Sequence, residues 1–245
     1  MGRSLILIYA GICYLLFLGV FLYAIGFVGD FVVPKTVDSE PRGGAFDSLL
    51  FDVFLLGLFA VPHSIMARPG FKARWTRIVP HSAERGTYVL VSSLLLALLF
   101  WLWRPLPTVV WEVERAMGRV VLLTLFWIGW VLVLWSTFSI DHFDLVGLRQ
   151  AYLHAVDRPY EPRTFRTPSL YRLVRHPIML GFLIAFWATP RLTVGHLLFA
   201  VANTLYILAA VRLEERDLVA HHGDIYRDYQ RRVGMLFPKR LFRLR

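Results

Sequence analysis

Residues 177–211 read PIMLGFLIAFWATPRLTVGHLLFAVANTLYILAAV, and the parsing of this stretch decides the fold. It is apolar throughout except at Thr189-Pro190-Arg191. A proline inside a helix removes one backbone hydrogen bond and clashes with the carbonyl one turn back, so the helix cannot run through Pro190. The stretch therefore reads as two helices joined by a turn. A crossing of the hydrocarbon core takes about 20 residues. The first arm is too short for that and the second is long enough. Both ends of such a hairpin lie on the same side of the membrane.

Upstream, four further blocks have the length and apolarity of membrane-crossing helices: residues 4–28, 45–66, 86–103 and 120–138. The expected fold is all-α: a polytopic membrane helical bundle of four spanning helices plus a C-terminal helix-turn-helix hairpin, five to six membrane helices in all. Residues 1–245 form one integral membrane domain, with a four-helix part over 1–138 and the hairpin and C-terminal region over 139–245. The first block is longer than a signal-peptide core and no small-x-small cleavage site follows it, so it reads as a retained anchor.

Composition agrees. Hydrophobic residues make up 57% of the chain, above the roughly half of a soluble domain. The net charge is +10, yet only 18% of residues are charged. The basic residues sit between the apolar blocks and at the C-terminus, which favours anionic lipid headgroups over nucleic acid as partners. With the N-terminus in the cytoplasm, every Lys and Arg except Lys35, Arg42, Arg104, Arg115, Arg119 and Arg191 falls on the cytoplasmic side. This asymmetry predicts cytoplasmic N- and C-termini, and a bacterial inner membrane. Cys13 is the only cysteine, which excludes an intrachain disulfide and a cysteine metal cluster. The apolar blocks hold few ionisable residues, which argues against a channel or transporter. Asp52 is the exception and reads as a buried polar contact.

Polar chemistry concentrates at the ends of the hairpin. In Arg175-His176-Pro177, the proline suits the first helical position, so His176 is the expected N-cap. Free N–H groups and the positive end of the helix dipole then favour an anion such as a carboxylate. Gly181, one turn on, admits a ligand or another backbone at close range. Glu214-Glu215 are expected at the end of the second arm, where carboxylates oppose the dipole. Such a broken rule points to function, for instance holding an α-ammonium or a ribose diol. In the stretch 221–229, Gly223 suits a helix end and Asp224 a cap. Tyr226, Tyr229 and Val233 form a stripe on an amphipathic helix at the cytoplasmic surface. His221-His222 lack the spacing of metal ligands, and no metal is expected.

These residues resemble a family signature. Arg175-His176-Pro177-x-x-x-Gly181, Glu214-Glu215-x-x-Leu218, and Gly223-x-x-Tyr226-x-x-Tyr229 through Val233 to Pro238 are similar to the isoprenylcysteine carboxyl methyltransferase superfamily of integral membrane enzymes. The resemblance implies S-adenosylmethionine as cofactor. It implies cofactor contacts at Tyr171, His176, Pro177, Ile178, Met179 and Glu214, within a set that includes Arg175, Gly181, Glu215 and Tyr229. Many members carry Tyr at the position of Met179. The stretches 23–29, 62–69 and 141–150 extend the resemblance to nearly the whole chain and narrow it to the bacterial methanethiol S-methyltransferases. These convert methanethiol, a small thiol, to dimethyl sulfide.

That chemistry needs a thiolate aligned with a donor methyl. His142 with Asp144 is the expected proton-handling pair, and His63 a second pocket group. The alternatives are a phospholipid-amine or prenylcysteine carboxyl methyltransferase, or a non-enzymatic membrane protein of the same fold.

Overall fold

The computed structural model describes residues 2–41 and 43–239. Arg42, Arg240, Arg243 and Arg245, which enter the charge asymmetry above, lie outside the described residues. Ten α-helices are present among them: α1 (Arg3–Gly29), α2 (Ala45–Ala67), α3 (Pro69–Trp75), α4 (His81–Leu102), α5 (Ala116–Ile140), α6 (His142–Leu145), α7 (Leu148–Ala155), α8 (Pro177–Trp187), α9 (Val194–His222) and α10 (Asp224–Arg232). Two short strands, β1 (Val109–Glu112) and β2 (Arg191–Thr193), complete them, with a 3₁₀ turn at Ser169–Arg172. Helices α1, α2, α4, α5 and α9 are long and apolar enough to cross a membrane. The chain is an integral membrane protein. Helix α8 has 11 residues, about 16 Å at 1.5 Å per residue, half of a hydrocarbon core of about 30 Å.

The described chain falls into two compact units that interleave in sequence. The first comprises residues 1–110, 141–162 and 193–197. Its core joins α1 to α4 and α7 through Ile6, Ala10, Ala83 and Ala151, with Leu7, Tyr9, Val79 and Leu148 around them. Three alanines at the contact let helix backbones approach closely, the device that replaces hydrophobic drive inside a bilayer. Gly147, at φ +87°, starts α7. A Cβ there would stand 2.6 Å from the Gly86 nitrogen, so only glycine fits. Asp52 on α2 is fully buried, and one carboxylate oxygen accepts the Arg104 backbone N–H at 2.9 Å.

The second unit comprises residues 111–140, 163–192 and 198–245. Here α5 packs along α8. Trp130 sits edge-on to Phe182 and Phe186, and Phe186 in turn to Phe199 of α9. The Trp187 indole donates to the Thr204 hydroxyl at 3.0 Å, tying the two arms of the hairpin together.

Two local expectations are corrected. Helix α9 does not stop near residue 211 but runs to His222, so Glu214-Glu215 lie two turns inside it. Residues 212–222 contain neither Gly nor Pro and include strong helix formers, so nothing halts propagation until Gly223. Asp224 is not a cap. Gly223, at φ +57°, occupies the N-cap of α10, and Asp224 pairs with Arg227 at 3.0 Å.

Candidate active site

In the second unit, three backbone segments converge on one carboxylate. The first is the strand-like approach to α8. Val174 and Gly234 form a parallel bridge, the Arg175 N–H donates to the Gly234 carbonyl and the His176 N–H to that of Met235. This clamps the residues just before Pro177, which begins α8 with His176 as its N-cap. The second segment is α9, carrying Glu214 and Glu215. The third is α10, whose Tyr226 and Tyr229 are buried against it.

Glu215 is the hub. Its Oε1 accepts from Arg175 Nε at 2.6 Å, lies 3.0 Å from His176 Nε2, and accepts from the Tyr226 hydroxyl at 3.5 Å. Its Oε2 accepts from Gln230 Nε2 at 2.9 Å. The Arg175 guanidinium also donates to the carbonyls of Gln230 and Val233. Glu214, the adjacent residue, points elsewhere. Its side chain is 48% exposed, and its nearest approach in the cluster is 3.7 Å to His176 Nδ1. The two glutamates therefore differ in kind: one is consumed by structure and the other is available.

The aromatic residues frame this hub. The Tyr229 hydroxyl donates to the Tyr171 carbonyl, and Phe165 packs edge-on against Tyr226 and Tyr229. Burial and the neighbouring glutamates push the phenols of Tyr171 and Tyr226 well above the ordinary tyrosine range. Burial also raises Tyr229, to about 12, with Arg175 opposing the shift. All three stay protonated at physiological pH. The Tyr171 hydroxyl is buried and has no hydrogen-bond partner among the described residues. The N–H groups of Ile178 and Met179 lie in the first turn of α8, before any intrahelical acceptor is available to them.

Gly181 does not belong to this cluster. A Cβ on it would lie 2.7 Å from the Gly129 carbonyl and 2.8 Å from a Val133 methyl, so its missing side chain admits helix α5. Of the two possibilities the glycine left open, the structure takes the second backbone.

The remaining candidates lie in the first unit. His142 opens α6 behind Asp141, whose carboxylate accepts the Asp144 N–H at 3.2 Å. The imidazole is buried, with Nε2 3.1 Å from the Tyr14 hydroxyl and its ring edge-on to Tyr14 and Phe143. Burial lowers its pKa, and Asp141 partly offsets this. The expected direct pairing of His142 with Asp144 is not among its bonds. The two Asp144 oxygens accept from Arg149 at 2.9 Å and from the Tyr160 hydroxyl at 3.3 Å. Asp141 is the carboxylate whose charge acts on His142, and Asp144 is an anchor for the loop after α7. His63 sits on α2 against α4, with Nδ1 3.0 Å from the Ser92 hydroxyl and Nε2 2.9 Å from that of Tyr88, its ring stacked on Phe59.

Sequence reading missed Gln230 and Tyr14. Gln230 lies four residues after Tyr226, on the same face of α10, a spacing that could have exposed it. Tyr14 is a polar tip inside an apolar span, which is itself a signal. Among the described residues no group of His, Cys, Asp and Glu is arranged to hold a metal ion.

A membrane-embedded helical protein with a carboxylate–arginine–histidine cluster at the start of a short helix is the class that fold and site define. Its relatives carry the assignment further. The chain belongs to the NnrU protein family, whose profile matches residues 53–215. It is 57% identical to the methanethiol S-methyltransferase of Mycobacterium tuberculosis, over 97% of this chain and 98% of that protein. With the enzyme of the same name from Crocosphaera subtropica it shares 49% identity, over 97% and 93%. Nurim of Rattus norvegicus is 32% identical over 75% of this chain and 72% of its own length. No solved structure matches the chain.

Proposed function

We propose that this chain is one membrane-embedded enzyme domain that methylates methanethiol to dimethyl sulfide with S-adenosylmethionine, at the cytoplasmic face of a bacterial inner membrane. The observation that carries the reading is near-full-length identity of about half or more to several enzymes of that name, together with a site whose donor set suits the cofactor. S-adenosylmethionine supplies, when bound, a methyl group made electrophilic by its sulfonium.

The chain's own residues divide the remaining work. The exposed Glu214 carboxylate suits an α-ammonium or a ribose diol, and the N–H groups of Ile178 and Met179 suit a carboxylate. The orphaned Tyr171 hydroxyl offers one further polar contact, and the Met179 thioether packs on a flat ring where many relatives of the wider superfamily place Tyr. Arg175, His176, Glu215 and Tyr229 hold these groups in position. In the first unit, His142 accepts the proton of methanethiol, breaking the S–H bond and leaving a thiolate, since the thiol itself is a poor nucleophile. Burial keeps the imidazole neutral and able to take that proton, and Asp141 stabilises the imidazolium that results. His63 is a second group of the thiol pocket and Asp144 a positioning residue.

Purified protein incubated with S-adenosylmethionine and methanethiol is expected to release dimethyl sulfide into the headspace. Methylation of phosphatidylethanolamine or of a prenylcysteine, without dimethyl sulfide, would overturn the assignment.

Replacement of His142 by Ala is expected to lower turnover by about 10²–10⁴-fold, the usual weight of a positioned base, while leaving cofactor affinity unchanged. The pH profile carries a further signature. A histidine with a depressed pKa stays neutral as the medium is acidified through the ordinary histidine range near 6.5. The acid limb of kcat should therefore fall below that range in the native enzyme and vanish in H142A. Unchanged turnover of H142A at saturating methanethiol would reject the role.

A further inference from the structure

The first unit contains a cavity of about 660 Å³ that the methyl-transfer residues leave unexplained. It opens between the start of α4 and the segment from α6 through the loop after α7, and Lys72 of α3 also lines it. Its volume lies inside the range of about 300–1,000 Å³ typical of small-molecule sites. His142 and His63 do not line it, and of the residues assigned to methyl transfer Asp144 alone does.

Its charge is specific. Arg85 enters with a fixed orientation, since its Nε donates to the Leu145 carbonyl at 2.8 Å and the guanidinium lies over the Tyr88 ring. Those contacts leave its terminal nitrogens without a protein acceptor among the described residues. The Arg158 guanidinium is likewise without one, and Lys72 adds a third cation. Two carboxylates face them. Asp144 is already neutralised by Arg149, which leaves Glu84. With the Arg149–Asp144 pair neutral, Lys72, Arg85 and Arg158 against Glu84 leave two net positive charges. That excess suits a phosphate-bearing anion, and Glu84 disfavours a polyphosphate, whose further charges it would repel. A planar, oriented guanidinium is also the group best shaped for two phosphate oxygens.

Location indicates the source of that anion. The lining residues flank the end of spanning helix α2 at Ala67 and the start of spanning helix α4 at His81, which is a membrane boundary. Large apolar side chains stand exposed beside them: Ile78 between Lys72 and His81, and Tyr152 and Val156 beside His154 and Arg158. Apolar rim and basic floor together are the pattern of an interfacial lipid site.

We propose that this cavity is an anion site for a phosphodiester, filled by the headgroup of an anionic phospholipid from the surrounding bilayer. The full-length protein in detergent would be titrated with dihexanoyl-phosphatidylglycerol below its micelle concentration, with glycerol 3-phosphate, with inorganic phosphate and with phosphate-free dihexanoylglycerol. Binding would be read by thermophoresis. Saturable binding of the phosphatidylglycerol is expected, at least tenfold weaker in R158E and in R85Q and weakened by salt, with the other three probes binding at least tenfold more weakly. Arg85 supports the Leu145 carbonyl, so R85Q alone would not separate lost binding from misfolding. Arg158 is exposed and bonded through its side chain to no described residue, so R158E keeps the test independent of folding. Equal binding by wild type and R158E overturns the site. Inorganic phosphate or glycerol 3-phosphate binding as tightly as the lipid overturns the lipid as its source.

Discussion

Replacement of Glu215 by Ala is expected to destabilise the second unit by about 3–5 kcal/mol, the usual consequence of removing one member of a buried ion pair. The side chains of Arg175 and Glu215 are only 9% and 13% exposed. Without the carboxylate, the guanidinium keeps its carbonyl acceptors but loses its counter-charge in a site poorly reached by water. Gln230, Tyr226 and His176 lose an acceptor in the same step. Glu215 ties α9 to the segment before α8 and to α10, so α9 should loosen from both. Thermal unfolding of the detergent-purified protein would read the loss, with E215Q intermediate because the amide still accepts hydrogen bonds but carries no charge. Glu214→Ala is the contrast. That side chain is half exposed and outside the pair, so E214A should melt with the wild type while binding S-adenosylmethionine more weakly. A stable E215A protein, or an unstable E214A protein with unchanged binding, would reverse the division of labour between the two residues.

Gly181→Val should be nearly as damaging, for a steric reason. A Cβ at this position would meet the Gly129 carbonyl at 2.7 Å, a Val133 methyl at 2.8 Å and the Val133 nitrogen at 2.9 Å. Two of these are backbone atoms of α5 and cannot rotate away. Overpacking of this kind costs about 1–3 kcal/mol even where side chains are free to adjust, and a branched side chain against backbone belongs at the top of that range. Gly129→Val should behave alike, because its own Cβ would lie 2.7 Å from the Gly181 carbonyl. Gly19→Ala in α1 is the internal control. Nothing lies within 4 Å of a Cβ there, so the variant should gain roughly 0.5–1 kcal/mol from the better helix former. Parallel melting curves of G181V and G19A would decide between steric contact and a general intolerance of glycine replacement.

The helices were legible because lipid demands long unbroken apolar runs, and the ends of such runs are visible in one dimension. The spans expected over 4–28, 45–66 and 120–138 match α1, α2 and α5 to within a few residues. Helix α4 begins five residues before the expected 86, because His81–Arg85 continue the helix in polar sequence where hydropathy gives no sign. The short first arm of the hairpin and the break at Pro190 were also readable, since proline acts locally. Illegible was everything that required knowing which face meets which. Gly181 announces close approach without naming the visitor. Glu214 and Glu215 are chemically identical neighbours, yet adjacent helical positions differ by about 100°. Only packing against Arg175, His176 and Gln230 shows which of them turns inward.

Sequence alone therefore determined the membrane class, the count of long spans, the position of the hairpin turn and the neighbourhood in which chemistry is concentrated, because each rests on composition or on local backbone preference. Tertiary structure alone decided that Glu215 is the buried hub and Glu214 the half-exposed carboxylate, that Asp144 answers to Arg149 and Tyr160, that Tyr14 faces His142, and that a basic cavity opens beside α4. Those facts depend on which side chains the folded backbone turns toward one another, and hydrogen bonds between them leave no periodic trace along the chain.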